Sequence, residues 1–151
     1  MKELFQILVD HSFWANKQCL KTISNISEDQ TVLKKILGHT VASEAIYLQR
    51  ISGKDPFPQN FWPLLTINQM SDEVKNNREK YALYLDKNSE TDLLKSVRYR
   101  TSQGTYFEAP IFIMMSHVFL HSGHHRGQFC SMMRTIGKNP PSIDLITYTR
   151  A

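Results

Sequence analysis

Two cysteines in 151 residues, Cys19 and Cys130, form no recognisable framework. That excludes a disulfide-stapled scaffold, and both thiols are expected to be reduced, small and buried. No apolar run approaches the roughly 20 residues that a membrane span requires. Lys2 is followed at once by Glu3, and Asp10 interrupts the apolar run after it, which does not fit a secretory leader. A cytoplasmic protein with no membrane partner is the expectation. Nor is there a dense basic block: the net charge is +4, and charges between Asp72 and Arg100 mostly alternate in sign, as on a solvated face. Nucleic-acid binding needs a denser patch and a recognisable module, so no such partner is expected. From Ala109 onward four Lys or Arg stand against one acid, a mild bias toward an anionic small-molecule substrate. Without internal repeats, low-complexity tracts or linkers, residues 1–151 read as one domain, long enough for a substantial core.

What the chain has is histidine in one place. Four of its six histidines lie in His117-Val-Phe-Leu-His121-Ser-Gly-His124-His125-Arg126-Gly127-Gln128. Both 117/121 and 121/125 are four-residue steps, which on a helix bring Cβ atoms to about 5–6 Å. At 100° per residue all four rings fall within an arc of roughly 100°. Two imidazoles so placed can converge on one ion, with nitrogen about 2.0–2.1 Å from zinc. The competing reading is a polar histidine stripe with rings bonded to backbone carbonyls. Spacing alone does not choose between the 117/121 and 121/125 pairs.

The surrounding pattern is helical. Leu4, Leu8, His11, Ala15 and Cys19 repeat every three or four residues over a first helix, Lys2–Ser24. This turns His11 inward, where a lone histidine is more often a core residue than a ligand. Ser27 to Gln30 fits a capping box, and a second helix then runs to about Ile51. Its inward stripe is Leu37, Val41, Leu48 and Ile51, with Glu44 intruding; His39, Ser43, Ile46 and Arg50 form the adjoining stripe. His39 is thus a candidate third ligand from another helix. Glu44 reads as a buried ion-pair partner or an acid/base group. The segment Lys54 to Pro63, with three prolines among Phe57, Phe61 and Trp62, cannot be regular helix and suits a cap on the core or a pocket wall. A third helix fits Asn68–Lys87. Val97–Thr101 and Thr105–Phe107 then alternate with period two around Gln103-Gly104, as in a short hairpin. Pro110 suits the first position of a fourth helix running to about Ile136, with Gly137 as its cap. Gly123 and Gly127, four apart on that helix, each cost about 0.5–1 kcal/mol against alanine and suggest that another helix or a substrate comes close. The tail from Lys138 to Tyr148 reads as ordered coil. The expected fold is all-α, a four-helix bundle with a short β-hairpin between helices three and four.

Several of these stretches resemble one family. The histidine run, His11-Ser-Phe-Trp14-Ala15-Asn16, Gly38-His39 with Glu44 and Arg50-Ile-Ser-Gly53, and Gly137 with Pro140, Pro141, Asp144 and Tyr148 are together similar to the motifs of the bacterial DinB family, in the expected order. The resemblance implies one metal ligand from the second helix and two from the fourth, four residues apart. These fall on His39, His121 and His125. His117 and His124 then become neighbours of the ligands, and Arg126 a partner for a carboxylate across the bundle, Glu44 first. Relatives are labelled metal-dependent hydrolases, and some resemble thiol S-transferases or isomerases that use a low-molecular-weight thiol. Many pair as homodimers.

Three neutral imidazoles and open positions suit activation of water or binding of a thiolate, with zinc or nickel the leading ions. A zincin carries glutamate directly after the first histidine; here Ser122 follows His121, which argues against a peptidase of that type. Any general base would come from Glu44, His117, His124 or His11, among which the sequence does not choose. The alternative function is a non-catalytic stress-response protein that binds a small molecule or metal.

Overall fold

In the computed structural model, residues 1–27 and 29–150 are described. Four long helices carry the chain: α1 (Lys2–Ser24), α2 (Thr31–Ile51), α3 (Ile67–Lys87) and, after two strands and a single turn, α5 (Ile111–Thr135). The turn is α4 (Glu90–Leu93), the strands are β1 (Ser96–Arg100) and β2 (Tyr106–Pro110), and a last turn, α6 (Leu145–Tyr148), closes the chain. The architecture is the expected all-α bundle with an antiparallel hairpin, Arg98 pairing with Glu108 at its centre.

The apolar residues of the four helices meet in two clusters. Phe5, Val9, Leu48, Tyr81, Val118 and Phe119 belong to one, and Ile23, Leu33, Leu37, Met70, Phe129 and Met133 to the other. Along α1 and α5 the chain passes from the first cluster to the second; along α2 and α3 it passes from the second to the first. The helices therefore run in parallel pairs, α1 with α5 and α2 with α3. A parallel connection must travel back the length of a helix, about 30 Å for 21 residues at 1.5 Å each. Residues 52–66 make that return between α2 and α3, and this is why an aromatic, proline-rich segment lies along the bundle instead of projecting from it.

Between the clusters, one buried polar residue or more from each helix forms a layer: Ser12 and Asn16, Glu44, Asn77, and Ser122 with Arg126. The hairpin is tied to α2 by Arg50. Its Nη2 donates to the Arg100 carbonyl at 2.7 Å, and its guanidinium lies 4.9 Å from the ring centres of both Tyr47 and Tyr99.

Three local expectations are corrected. The Ser27–Gln30 stretch includes Glu28, which lies outside the described residues; α2 starts beyond it, with Gln30 in the N-cap place and no side-chain cap bond there. Asp29 instead accepts from the Thr31 amide at 2.9 Å. The reciprocal capping boxes are Thr66 with Gln69 and Ser89 with Asp92. Pro110 is not the first residue of α5 but its N-cap, extended at ψ 141° and still paired with Ser96 as the end of β2; a residue without N–H serves a strand end as well as a helix start. No packed helix meets Gly123 or Gly127: a Cβ added at either would find nothing within 4 Å.

Gly137 does cap α5, at φ +72°. Alanine would be strained there, so Gly137→Ala is expected to cost about 1 kcal/mol and lower the melting temperature by about 2–4 °C in a calorimetric scan.

Candidate metal centre

His39 is carried by the middle of α2, and His121 and His125 by successive turns of α5, the helix packed most extensively against it. The stagger of one helix turn places both α5 rings opposite the single ring of α2. His39 Nε2 lies 3.0 Å from Nε2 of His121 and 3.0 Å from Nε2 of His125. Nitrogens each about 2.0–2.1 Å from one ion stand roughly 2.9–3.4 Å apart, depending on the angle between them. The three side chains form a group that could hold a metal ion.

Two of the rings have their tautomer set from behind. His39 Nδ1 donates to the Phe61 carbonyl at 2.6 Å. His125 Nδ1 donates to Gln128 Oε1 at 2.7 Å. With Nδ1 protonated, each Nε2 offers a lone pair to the centre of the group, as a metal ligand must. Gln128 passes the restraint on, its Nε2 meeting His124 Nε2 at 3.2 Å. Burial pushes His39 and His125 below the usual histidine range. His121 is pushed down to about 4, by burial first and then by the neighbouring imidazoles. All three are therefore neutral at pH 7, the form that binds cations.

The returning segment covers one side. The Trp62 ring stacks on the His39 ring at 3.8 Å and 8°. The aromatic, proline-stiffened segment thus acts here as a cover over the His39 ring. The close approach depends on Gly38, where a Cβ would stand 3.1 Å from the Pro63 carbonyl oxygen. Gly38→Ala is expected to push Phe61 and Trp62 away from His39 and weaken zinc binding about tenfold by calorimetric titration, the size of effect seen when a ligand loses its outer support. The other side is open: His121 is half-buried, while His117 and His124 are exposed.

The four candidate bases fare differently. His117 stacks on His121 at 5.5 Å, and the His124 ring lies 5.0 Å from that of His125. His11 instead bonds the Ile143 carbonyl at 2.9 Å and packs against Trp14 and Tyr148. Glu44 is committed to the polar layer. It accepts from Ser12 Oγ at 2.6 Å, Ser122 Oγ at 2.9 Å and Asn16 Nδ2 at 3.2 Å. Arg126 meets it as expected, but mainly through intermediaries: Nη1 donates to Ser12 and Asn16 at 2.9 and 3.2 Å and lies 3.9 Å from the carboxylate. The sequence reading missed Gln128 and the Phe61 carbonyl. Gln128 stands three residues after His125, a step that puts both on one helix face, so its role was open to view; a backbone acceptor carries no such signal.

Among the described residues no helix is long and apolar enough to cross a membrane. No curated protein matches the chain. The family model described as DinB family matches residues 1–151, the whole chain, and the protein belongs to the DinB family.

Proposed function

We propose that this protein is a metal-dependent enzyme, a hydrolase or low-molecular-weight-thiol S-transferase acting on a small molecule. His39, His121 and His125 are its metal ligands. The observation that carries this reading is the convergence of three Nε2 atoms, two of them locked as lone-pair donors by Nδ1–H bonds. A divalent ion held there, zinc or nickel first, supplies Lewis acidity toward water or a thiol. The chain's own residues do the rest. Phe61 and Gln128 orient the ligands, Trp62 shields one side, and the open side admits the substrate. His117 and His124 stand near enough to hold or move a proton beside the ligands; Glu44 and His11 are engaged elsewhere. An ion serving the fold alone would be better enclosed, so openness favours catalysis over structural or storage roles.

A cytoplasmic homodimer completes the proposal. The first halves of α1 and α5 leave Leu4, Ile7, Ile113 and Leu120 exposed, Leu120 by 75%, an apolar face suited to a second copy.

Chelation tests the enzymatic reading. Removing metal is expected to abolish turnover in hydrolase and thiol-transfer screens while the far-ultraviolet circular dichroism at 25 °C stays helical. Unfolding on chelation would assign the ion to the fold instead. Light scattering is expected to give twice the chain mass, and half that for Leu120→Lys.

A further inference from the structure

A cavity of about 490 Å³ lies between α5 and the segment that precedes α6. His11, Gly123, Arg126, Gly127, Arg134 and Asp144 are among the residues around it, and none of the three proposed metal ligands is. Its features call for a physical reason.

The first is the glycine floor. Gly123 and Gly127 sit inside a 25-residue helix. Neither has a positive φ, and neither has a neighbour that a methyl group would touch. Alanine would fit both places and favour the helix. What the two glycines do is expose helix backbone to the cavity, which allows an occupant to approach more closely than any side chain would permit.

The second is the charge around that floor. Arg126 is only 4% exposed. Its hydrogen bonds and its ion pair all engage Nη1, and the residue also lines the cavity. Arg134 stands exposed on the last turn of α5 and makes no ion pair among the described residues. Asp144 is the one acid in the wall. Glu44 balances the charge of Arg126 from the polar layer, which leaves Arg134 facing Asp144. What the wall offers an anionic occupant is guanidinium N–H groups that none of the described residues engages, and guanidinium is the side chain best matched to oxyanions. Pro141, Ile143 and Leu145 add apolar wall, suited to a small organic body behind the anionic group.

We propose that this cavity is a binding site for a small oxyanion, a carboxylate or phosphate, held by Arg126 and Arg134 over the Gly123–Gly127 floor. It is independent of the metal reading, since it uses neither the three imidazoles nor an ion.

The test is a titration of the metal-free, full-length protein with benzoate and, separately, inorganic phosphate, at ionic strength held constant with chloride. The amide signals of the glycines are followed by ¹H–¹⁵N correlation spectra. Gly123 and Gly127 are expected to shift saturably with one probe or both, at about millimolar midpoints, while Gly53 and Gly104 stay in place. A response to benzoate alone assigns a carboxylate ligand, and to phosphate alone a phosphorylated one. Arg134→Glu is expected to weaken the response at least tenfold, and Gly127→Leu, which fills the floor, to abolish it. No saturable shift at either glycine up to about 50 mM of both probes overturns the proposal, as does an unchanged midpoint in Gly127→Leu. Gly127→Ala supplies a check on the floor itself: its melting temperature is expected to rise, and a fall would mean that the glycine is needed for packing.

Discussion

Tag-free protein is expected to carry about one divalent ion per chain by mass spectrometry, and His39→Ala and His125→Ala to carry none. Loss of an outer-shell partner alone lowers metal affinity by roughly 10–100-fold; loss of a ligand from a three-imidazole set should exceed that. Both variants should stay folded, because neither ring belongs to the two apolar clusters, which are left intact. Thermal denaturation supplies a second measure. An ion at about 1,000 times its dissociation constant adds about 4 kcal/mol to the native state, or about 8–16 °C in a chain of this size. The wild type should show that rise with added zinc and the variants should not. Gln128→Leu separates positioning from ligation, since it removes only the acceptor behind His125: affinity falls about 10–100-fold without loss of stoichiometry. Metal kept by His39→Ala would move the third ligand elsewhere, to His117 first. No metal in any sample, after reconstitution with zinc and with nickel, would end the metalloenzyme reading.

The helices were legible because burial on one face imposes a period on the sequence. Leu37, Val41, Glu44, Leu48 and Ile51 follow that period, and every one of them is buried. The one-turn helices α4 and α6 escaped, since four residues hold barely one period. The site was legible in a different way. A four-residue step on one helix fixes the relation between His121 and His125, because the helix itself supplies the geometry. His39 comes from another helix, and its distance to the pair depends on how α2 packs against α5. Spacing within one helix holds no such information: the stripe it lies on made His39 a candidate, and the family likeness made it the third ligand. The direction of the helices was hidden for a similar reason. A parallel pairing of α2 with α3 is settled by the distribution of side chains between two core clusters, a three-dimensional fact. Glu44 was correctly read as buried, yet its partners Ser12, Asn16 and Ser122 passed unnoticed, since small polar residues look alike whether they face solvent or a buried carboxylate.

That polar layer gives the second large effect. Arg126→Met is expected to destabilise the protein by about 3–5 kcal/mol, the range for removing one member of a buried charge pair. In a calorimetric scan this is a drop of about 6–20 °C. The cause is not the direct attraction, since Nη1 and the carboxylate stand 3.9 Å apart. Arg126 supplies the positive charge behind Ser12 and Asn16, both of which also bond Glu44. Methionine fills much of the same volume, so the loss would be electrostatic more than a packing defect, and a second substitution distinguishes the two. Glu44→Gln removes the charge that Arg126 balances while keeping a polar side chain between Ser12 and Ser122. If charge balance is the reason for the layer, the double variant should be more stable than Arg126→Met alone. If each residue serves only to fill space, the two losses should add, because a cycle of non-interacting sites closes to within about 0.5 kcal/mol. The layer also bears on the metal centre. Ser122 bonds Glu44 at 2.9 Å from the position next to His121, so loosening the layer should disturb the helix turn that carries that ring. Zinc affinity measured well below the melting temperature should therefore fall in Arg126→Met and recover in the double variant. An affinity unchanged in both would show that the layer holds the bundle together without setting the position of His121.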